Sequence, residues 1–184
     1  MDLEEKKISR EEIFEGKVLH VVKDTVSLPD GGTATREILL HHGAVCIIPI
    51  TDDGKVILER QFRYAVGDVL VEIPAGKLEP GEDPLECAKR ELQEETGYSA
   101  DEMIVIGDYY GSPALLREHI TMYLARGLHK GKTHYDDDEF MEVFEMPLDN
   151  LIDDVMNNKI PDAKTQLCAL KAREFLNREK SERR

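Results

Sequence analysis

Acidic side chains crowd into one short stretch of the chain, residues 76 to 98, which reads GKLEPGEDPLECAKRELQEETGY. Glu91 and Glu95 are four residues apart, so in a helix they project from one face, and Glu94 lies one residue round from them. Carboxylates packed on one turn repel one another, and a hard divalent cation such as Mg²⁺, which takes oxygen ligands, removes that repulsion. Arg90 can hold one of the glutamates through two parallel hydrogen bonds. The stretch therefore indicates a site for divalent metal.

Metal held in this way suits hydrolysis, since it can neutralise negative charge on a substrate, lower the pKa of a bound water and clamp a leaving group. The residues before the acids, with Pro74-Ala75-Gly76 and Pro80-Gly81, predict an irregular loop that leaves a backbone carbonyl free to ligate the metal. The competing interpretation is a solvated helix, since glutamate is a good helix former. That interpretation explains neither the glycines nor the crowding of the acids on one side.

The acids need a rigid helix to hold them, and the ends of that helix are marked in the sequence. Asp83 can cap its first turn, Pro84 fits that turn, and Gly97 suits the left-handed residue that ends a helix. We therefore predict a helix over residues 84–96. One stripe of it is apolar and can face a core: Leu85, Ala88 and Leu92.

Strand and helix patterns on both sides of this helix predict a layered domain. Residues 16–28 and 33–40 alternate as a hairpin around the turn Pro29-Asp30-Gly31-Gly32, and Ser9 and Glu12 predict a short helix before it. Further strands are expected at 44–50, 55–61, 69–73, 103–108, 118–126 and 140–146, with helices from 147 and from 162 to about 177. This order predicts an α/β or α+β fold around a mixed sheet, preceded by a small antiparallel β element.

Composition limits the partners and the compartment of the protein. The chain of 184 residues is 41% apolar, which is enough for one domain of ordinary size. Its net charge of −14 argues against nucleic acid or an anionic membrane as a partner, since both need a basic surface. No apolar run approaches membrane-spanning length, and the acidic N-terminus does not read as a signal peptide. Cys46, Cys87 and Cys168 are isolated, so we expect free thiols in a reducing cytoplasm.

The stretch from 76 to 98 resembles the Nudix box, the signature of hydrolases that cleave a nucleoside diphosphate linked to another group. Every polar and glycine position of that signature matches, and Tyr98 departs from the bulky aliphatic residue of the general pattern. Other segments resemble the ADP-ribose pyrophosphatase branch of the family, in which tyrosine at that position is common. In that branch Ala114 would usually be glycine. The matching segments are Arg60-Gln61-Phe62-Arg63, residues 71–79, Ser112-Pro113 and Asp138-Glu139-Phe140.

The resemblance implies an architecture and a reaction. Residues 43–184 would form a Nudix α/β/α sandwich around a mixed sheet. Residues 1–42 would form a β element that helps build a homodimer, in which the partner subunit completes the nucleoside pocket. The reaction would be Mg²⁺-dependent hydrolysis of ADP-ribose to AMP and ribose 5-phosphate, with Mn²⁺ as an alternative ion. Two other functions stay open: hydrolysis of another nucleoside diphosphate sugar or dinucleotide, and binding of ADP-ribose-like ligands without cleavage.

The resemblance also implies roles for individual residues around the metal. Glu91 and Glu95 would ligate it, together with the backbone carbonyl of Ala75. Glu82 and Glu94 would support or share the metal ions, and Glu94 and Arg90 are expected to be catalytic residues.

Substrate contacts and the catalytic base are expected elsewhere in the chain. Arg63 would contact the diphosphate, because a planar guanidinium matches phosphate oxygens, and Arg36 and Glu72 would be further substrate contacts. The acidic run at residues 136–139 lies on a loop where the branch carries its catalytic carboxylate. Glu139 would orient or deprotonate the attacking water, with Asp138 and Asp137 as alternatives.

Overall fold

The structure is a computed structural model that describes residues 2–133 and 140–182. The described chain divides into two compact units, one within residues 1–43 and 110–119 and the other within 44–109 and 120–184. No helix in the described ranges combines the length and the apolar character needed to cross a membrane. The elements are β1 (Lys6–Glu15), β2 (His20–Ser27), β3 (Thr33–Leu40), β4 (Ala44–Pro49), β5 (Lys55–Arg63), β6 (Asp68–Glu72), β7 (Ala75–Lys77), α1 (Pro84–Thr96), β8 (Tyr98–Tyr110), β9 (His119–Lys130), β10 (Met141–Pro147), α2 (Leu148–Met156) and α3 (Ala163–Glu182).

The N-terminal unit is built on an antiparallel sheet in the order β1-β2-β3. Its β2–β3 hairpin is the predicted one, with Ser27 paired to Thr33 across the turn. β1 is fixed to β2 by Arg10, whose guanidinium donates two hydrogen bonds of 2.7 Å to the buried carboxylate of Asp24. Every residue of β1 is exposed to solvent.

The short helix expected from Ser9 and Glu12 was wrong, because these residues belong to β1. Lysine and glutamate favour helix locally, but pairing along the whole length of β2 overrides that weak preference. The ladder between the strands shifts register at two places, around Ile8 and around Ile13. Such irregularities hide the strict alternation by which a strand is recognised in a sequence.

The larger unit places helices on both sides of its strands. One sheet has the order β7-β4-β9-β8, with β4 and β9 parallel, and the other has the antiparallel order β10-β5-β6. Successive residues of β4 point to opposite sides, so that one set packs with α1 and the other with α2 and α3. The predicted α/β/α sandwich is confirmed. The α1 side includes Val45, Ile47, Ala88 and Leu92, and the other side includes Cys46, Ile48, Leu58, Leu151 and Ala169.

Two local expectations in this unit were also wrong. Residues 75–77, expected in an irregular loop, form β7 and pair with β4, with Ala75 opposite Cys46. The last helix continues to Glu182 and does not end near Asn177. In both cases the regular structure is longer than local turn and composition signals suggest.

Truncation of Leu58, which is fully buried between β5 and the α2–α3 side, should destabilise the larger unit. We expect Leu58→Ala to lower the free energy of unfolding by about 2–5 kcal/mol, because it removes apolar contacts and leaves a cavity. Leu170→Ala is the matched control, since Leu170 on α3 is 41% exposed. Denaturant titration of both variants measures the difference, and equal losses would contradict the assigned core.

Candidate active site

Helix α1 begins and ends where the sequence predicts. The Asp83 carboxylate accepts hydrogen bonds from the N–H groups of Leu85 at 2.9 Å and Glu86 at 3.3 Å. Gly97 ends the helix with φ of 74°, and its N–H bonds the carbonyl of Gln93. The same glycine lies against the backbone of residues 132 and 133, where a β-carbon would approach to 3.1 Å. Both ends of the acidic helix are therefore fixed.

Arg90 lies at the centre of the acidic cluster and contacts three carboxylates. Its guanidinium donates two hydrogen bonds of 3.0 Å to Glu82, one of 2.7 Å to Glu91 and one of 3.0 Å to Glu94. The two-fold contact expected of this arginine is therefore made with Glu82. Hydrogen bonding to Arg90 lowers the pKa of Glu82 to about 2, and the pKa of Arg90 is correspondingly raised. Arginine thus relieves the repulsion among the acids.

A tight turn before α1 delivers Glu82 to this arginine. Pro80 and Gly81 form its middle, with φ of 84° at Gly81, and the N–H of Glu82 bonds the carbonyl of Glu79 at 3.0 Å. In return the backbone N–H of Glu79 donates to the Glu82 carboxylate at 2.9 Å. Glycine suits the left-handed position of such a turn. The Pro-Gly pair therefore positions the Glu82 carboxylate beside Arg90.

Strand β7 lies directly against the acidic face of α1. The buried Glu95 carboxylate accepts the backbone N–H of Ala75 at 2.9 Å. A β-carbon on Gly76 would be 1.8 Å from the carboxyl carbon of Glu91, so any other residue at 76 would displace that carboxylate. The glycine that opens the acidic stretch is therefore needed for close approach of the helix and the strand.

The carboxylate and carbonyl oxygens on this face are the kind of ligand that Mg²⁺ prefers. In residues 2–133 and 140–182, however, no three His, Cys, Asp or Glu side chains are arranged to hold a metal ion together. Three of the acids, Glu82, Glu91 and Glu94, are instead paired with Arg90. The cluster is therefore assembled with an arginine as its counterion. Glu139, Asp138 and Asp137, predicted to supply the catalytic carboxylate, lie outside the described residues.

A second charged group forms at the end of β5 and β6. Arg63 donates two hydrogen bonds, of 2.7 and 2.8 Å, to the carboxylate of Glu72, which is 1% exposed. These bonds raise the pKa of Arg63, and the negative charges of Glu59 and Glu95 raise it further. Arg63 therefore lies within the electrostatic reach of the acidic face of α1.

The structure groups most of the predicted site residues, but not all. Ala75, Glu82, Arg90, Glu91, Glu94 and Glu95 form one cluster, and the Arg63–Glu72 pair lies in the same unit. Arg36 lies on β3 in the N-terminal unit, where its guanidinium bonds the carboxylate of Glu5.

Three charged residues near Arg63 escaped prediction from the sequence. Glu59 is 1% exposed and pairs with Glu72 across β5 and β6, so both side chains share a face with Arg63. An acid four residues before an arginine on a strand is the signal that could have found it. Lys164 and Asp162 reach the same group from the start of α3; the sequence predicts Asp162 only as the cap of that helix and gives no signal for Lys164.

Comparison with known proteins agrees with this geometry. A family model described as "NUDIX domain" matches residues 40–167, and one described as "Nucleoside diphosphate sugar hydrolase N-terminal domain" matches residues 5–39. The chain is 45% identical over 165 residues to the ADP-ribose pyrophosphatase of Bacillus subtilis (strain 168), covering 89% of each protein. It is 43% identical over 164 residues to the methanol dehydrogenase activator of Bacillus methanolicus, covering 88% of this chain and 89% of that protein.

A solved structure has the same fold. The crystal structure of an ADP compounds hydrolase superposes with a TM-score of 0.86, covering 97% of this chain and 98% of that one at 21% identity.

Gly76→Ala should displace the Glu91 carboxylate, because the new β-carbon would occupy its position. We expect the affinity for Mn²⁺, measured by isothermal titration calorimetry, to fall by about tenfold or more. Gly111→Ala is the control, since a β-carbon there meets no atom nearer than 3.8 Å. Unchanged Mn²⁺ affinity in Gly76→Ala would contradict a metal site at Glu91.

Proposed function

This chain belongs to the Nudix family of hydrolases, and we propose that its substrate is ADP-ribose, which it cleaves to AMP and ribose 5-phosphate. The observation that carries the proposal is the group of three glutamates bound by Arg90 of α1, with a fourth, Glu95, bonded to the backbone of β7. The substrate follows from the relatives, since the protein of Bacillus subtilis is named an ADP-ribose pyrophosphatase.

In the proposed reaction the acidic face of α1 holds Mg²⁺, which Mn²⁺ can replace. Glu91, Glu95 and the Ala75 carbonyl would ligate the ion, and Glu82 and Glu94 would support it. When bound, such an ion neutralises phosphate charge and lowers the pKa of a bound water. Arg90, already hydrogen-bonded to three of the glutamates, would keep their side chains on one face.

The remaining proposed roles concern the substrate and the water. Arg63 would donate to the diphosphate oxygens, with Glu72 fixing the plane of its guanidinium. Arg36, whose side chain is 43% exposed, would be a further substrate contact. Glu139 would orient or deprotonate the water that attacks one phosphorus, and the bond from that phosphorus to the bridging oxygen breaks.

A substrate panel tests the proposal directly. Purified protein is incubated with Mg²⁺ and ADP-ribose, a GDP-sugar or a flavin dinucleotide, and the products are separated and quantified. We expect the highest kcat/KM for ADP-ribose, with AMP as a product. A higher value for another compound would change the substrate within the same chemistry. Binding of ADP-ribose without release of AMP at any metal concentration would replace the hydrolase by a sensor.

Glu95→Gln should lose most of the activity while the protein stays folded. We expect kcat to fall by at least about 100-fold, because a neutral amide neither compensates the charge of the metal ion nor ligates it as strongly as a carboxylate. The metal-free stability should change little, since the amide oxygen can still accept the N–H of Ala75. Glu86→Gln is the control, because Glu86 is an exposed carboxylate on the same helix. Full activity of Glu95→Gln would refute the metal assignment.

We also propose that the protein is a cytoplasmic homodimer assembled through β1. The exposed edge of this strand carries Ile8, Ile13 and Phe14 with 58%, 50% and 54% of their surfaces in solvent, which favours a buried contact with a second copy. All three cysteines are free thiols, which suits a reducing compartment.

Ile13→Asp should convert the dimer into a monomer, because an unpaired charge would be buried in the proposed contact. Val105→Asp is the matched control, since Val105 is 56% exposed on β8 in the other unit. Light scattering after size-exclusion chromatography gives the mass of each variant. A monomeric wild type, or a dimer that persists in Ile13→Asp, would rule out this contact.

A further inference from the structure

Glu72 binds two cations, although the proposed reaction uses only one of them. Arg63 contacts both of its carboxylate oxygens, and the ammonium of Lys164 donates to one of the same oxygens. Glu72 is 1% exposed and the Lys164 side chain 17% exposed, so this group is largely shielded from water. Each buried charge costs free energy unless it is compensated, so the two positive partners of this shielded carboxylate call for a functional explanation.

The charges around Arg63 explain why a second cation is useful. Glu59, Glu72 and Glu95 all act on this guanidinium. With Arg63 as the sole partner of Glu72, that guanidinium alone would compensate the buried carboxylate, with Glu59 and Glu95 also acting on it. Lys164 supplies another positive charge to the same carboxylate. The carboxylate is then shared by two cations, so it neutralises the Arg63 guanidinium less completely.

Asp162 keeps Lys164 charged and in place. Its carboxylate accepts from the Lys164 ammonium at 2.9 Å, and also from the N–H of Thr165 at 2.9 Å at the start of α3. Burial alone would lower the pKa of Lys164, but the charges of Asp162 and Glu72 outweigh burial and raise it. The aspartate charge is itself directed at a helix N-terminus, where the backbone favours anions.

The same turn of α3 is anchored to the backbone that leads into the acidic cluster. The Thr165 hydroxyl donates to Asp162 at 2.6 Å and accepts the N–H of Ile73 at 3.0 Å. Ile73 directly follows Glu72 and stands two residues before Ala75. The start of α3 therefore fixes the position of Lys164 relative to Glu72.

We propose that Lys164 is a positioning residue. It compensates the negative charge of Glu72, so that the positive charge of Arg63 remains available to the diphosphate of the substrate. The proposal rests on the function proposed above, in which Arg63 is the group that contacts the diphosphate. Lys164 itself need not touch the substrate, and its effect passes through Glu72 and Arg63.

A double-mutant cycle tests this role. Lys164→Met should raise KM for ADP-ribose by about tenfold or more and affect kcat less, because it weakens a contact to the bound diphosphate. In an Arg63→Ala background the same substitution should cost almost nothing further. Lys164→Arg, which keeps the charge, should restore most of the affinity. Lys159→Met is the matched control, since Lys159 also pairs with an aspartate but is 66% exposed.

Binding of inorganic pyrophosphate in the presence of Mg²⁺, measured by calorimetry, gives a second readout that needs no turnover. Its Kd should rise in Lys164→Met and in Arg63→Ala by similar factors, and rise no further in the double variant. If Lys164→Met loses its folded circular dichroism spectrum, Lys164→Gln replaces it, since glutamine keeps a donor without the charge.

The outcomes separate the two proposals. Additive losses, no change in Lys164→Met, or no pyrophosphate binding by the wild type would overturn the positioning role. If those results accompany normal hydrolysis of ADP-ribose, the proposed function stands without it. If the wild type does not hydrolyse ADP-ribose but pyrophosphate binding shows the non-additive pattern, the substrate is wrong and the positioning role stands.

Discussion

The structure depends on one electrostatic balance, between a group of glutamates and the guanidinium of Arg90. Glu91 and Glu94 on α1 and Glu82 in the turn before it would repel one another, yet Arg90 binds all three and the backbone of Glu79 supports Glu82. The fold around them serves to keep these charges at fixed distances: a capped helix, a Pro-Gly turn and a strand without a side chain at Gly76. Because arginine compensates the acids, they can be held close together on one side of the site.

A second charge balance surrounds Glu72, where one carboxylate is compensated by two cations. Here the fixed carboxylate lies in the sheet and the cations come from different elements, Arg63 from β5 and Lys164 from α3. Burial alone would raise the pKa of Glu72, but hydrogen bonds from Arg63 and the charge of Lys164 lower it. In a protein of net charge −14, these two cations compensate one buried carboxylate.

The sequence predicts correctly those elements whose conformation is set by residues close to them in the chain. Asp83, Pro84 and Gly97 define α1 because caps act within a few residues of themselves, and the turn at residues 29–32 defines the first hairpin. Prediction failed where distant pairing decides. Residues 6–15 look helical and become a strand only because β2 lies beside them.

The residues of the candidate site show the same difference between those close together in the chain, which were predicted, and those far apart, which were not. Its acids lie within one stretch and were found together, whereas Lys164 is separated by 92 residues from the Glu72 it contacts. No periodicity or motif records such a contact, since it is created by the packing of α3 against the sheet. Glu59 is intermediate: its spacing from Arg63 on a strand carried the information, but an acid inside a buried strand is easily taken for a surface residue.

The contact between β7 and α1 has a consequence for how this chain can vary. A β-carbon at position 76 would fall on the Glu91 carboxylate, so a larger residue there requires that side chain to move or to become shorter. Position 91, in contrast, can take a shorter side chain without any clash at Gly76. The constraint between these two sites, fifteen positions apart in sequence, therefore acts in one direction.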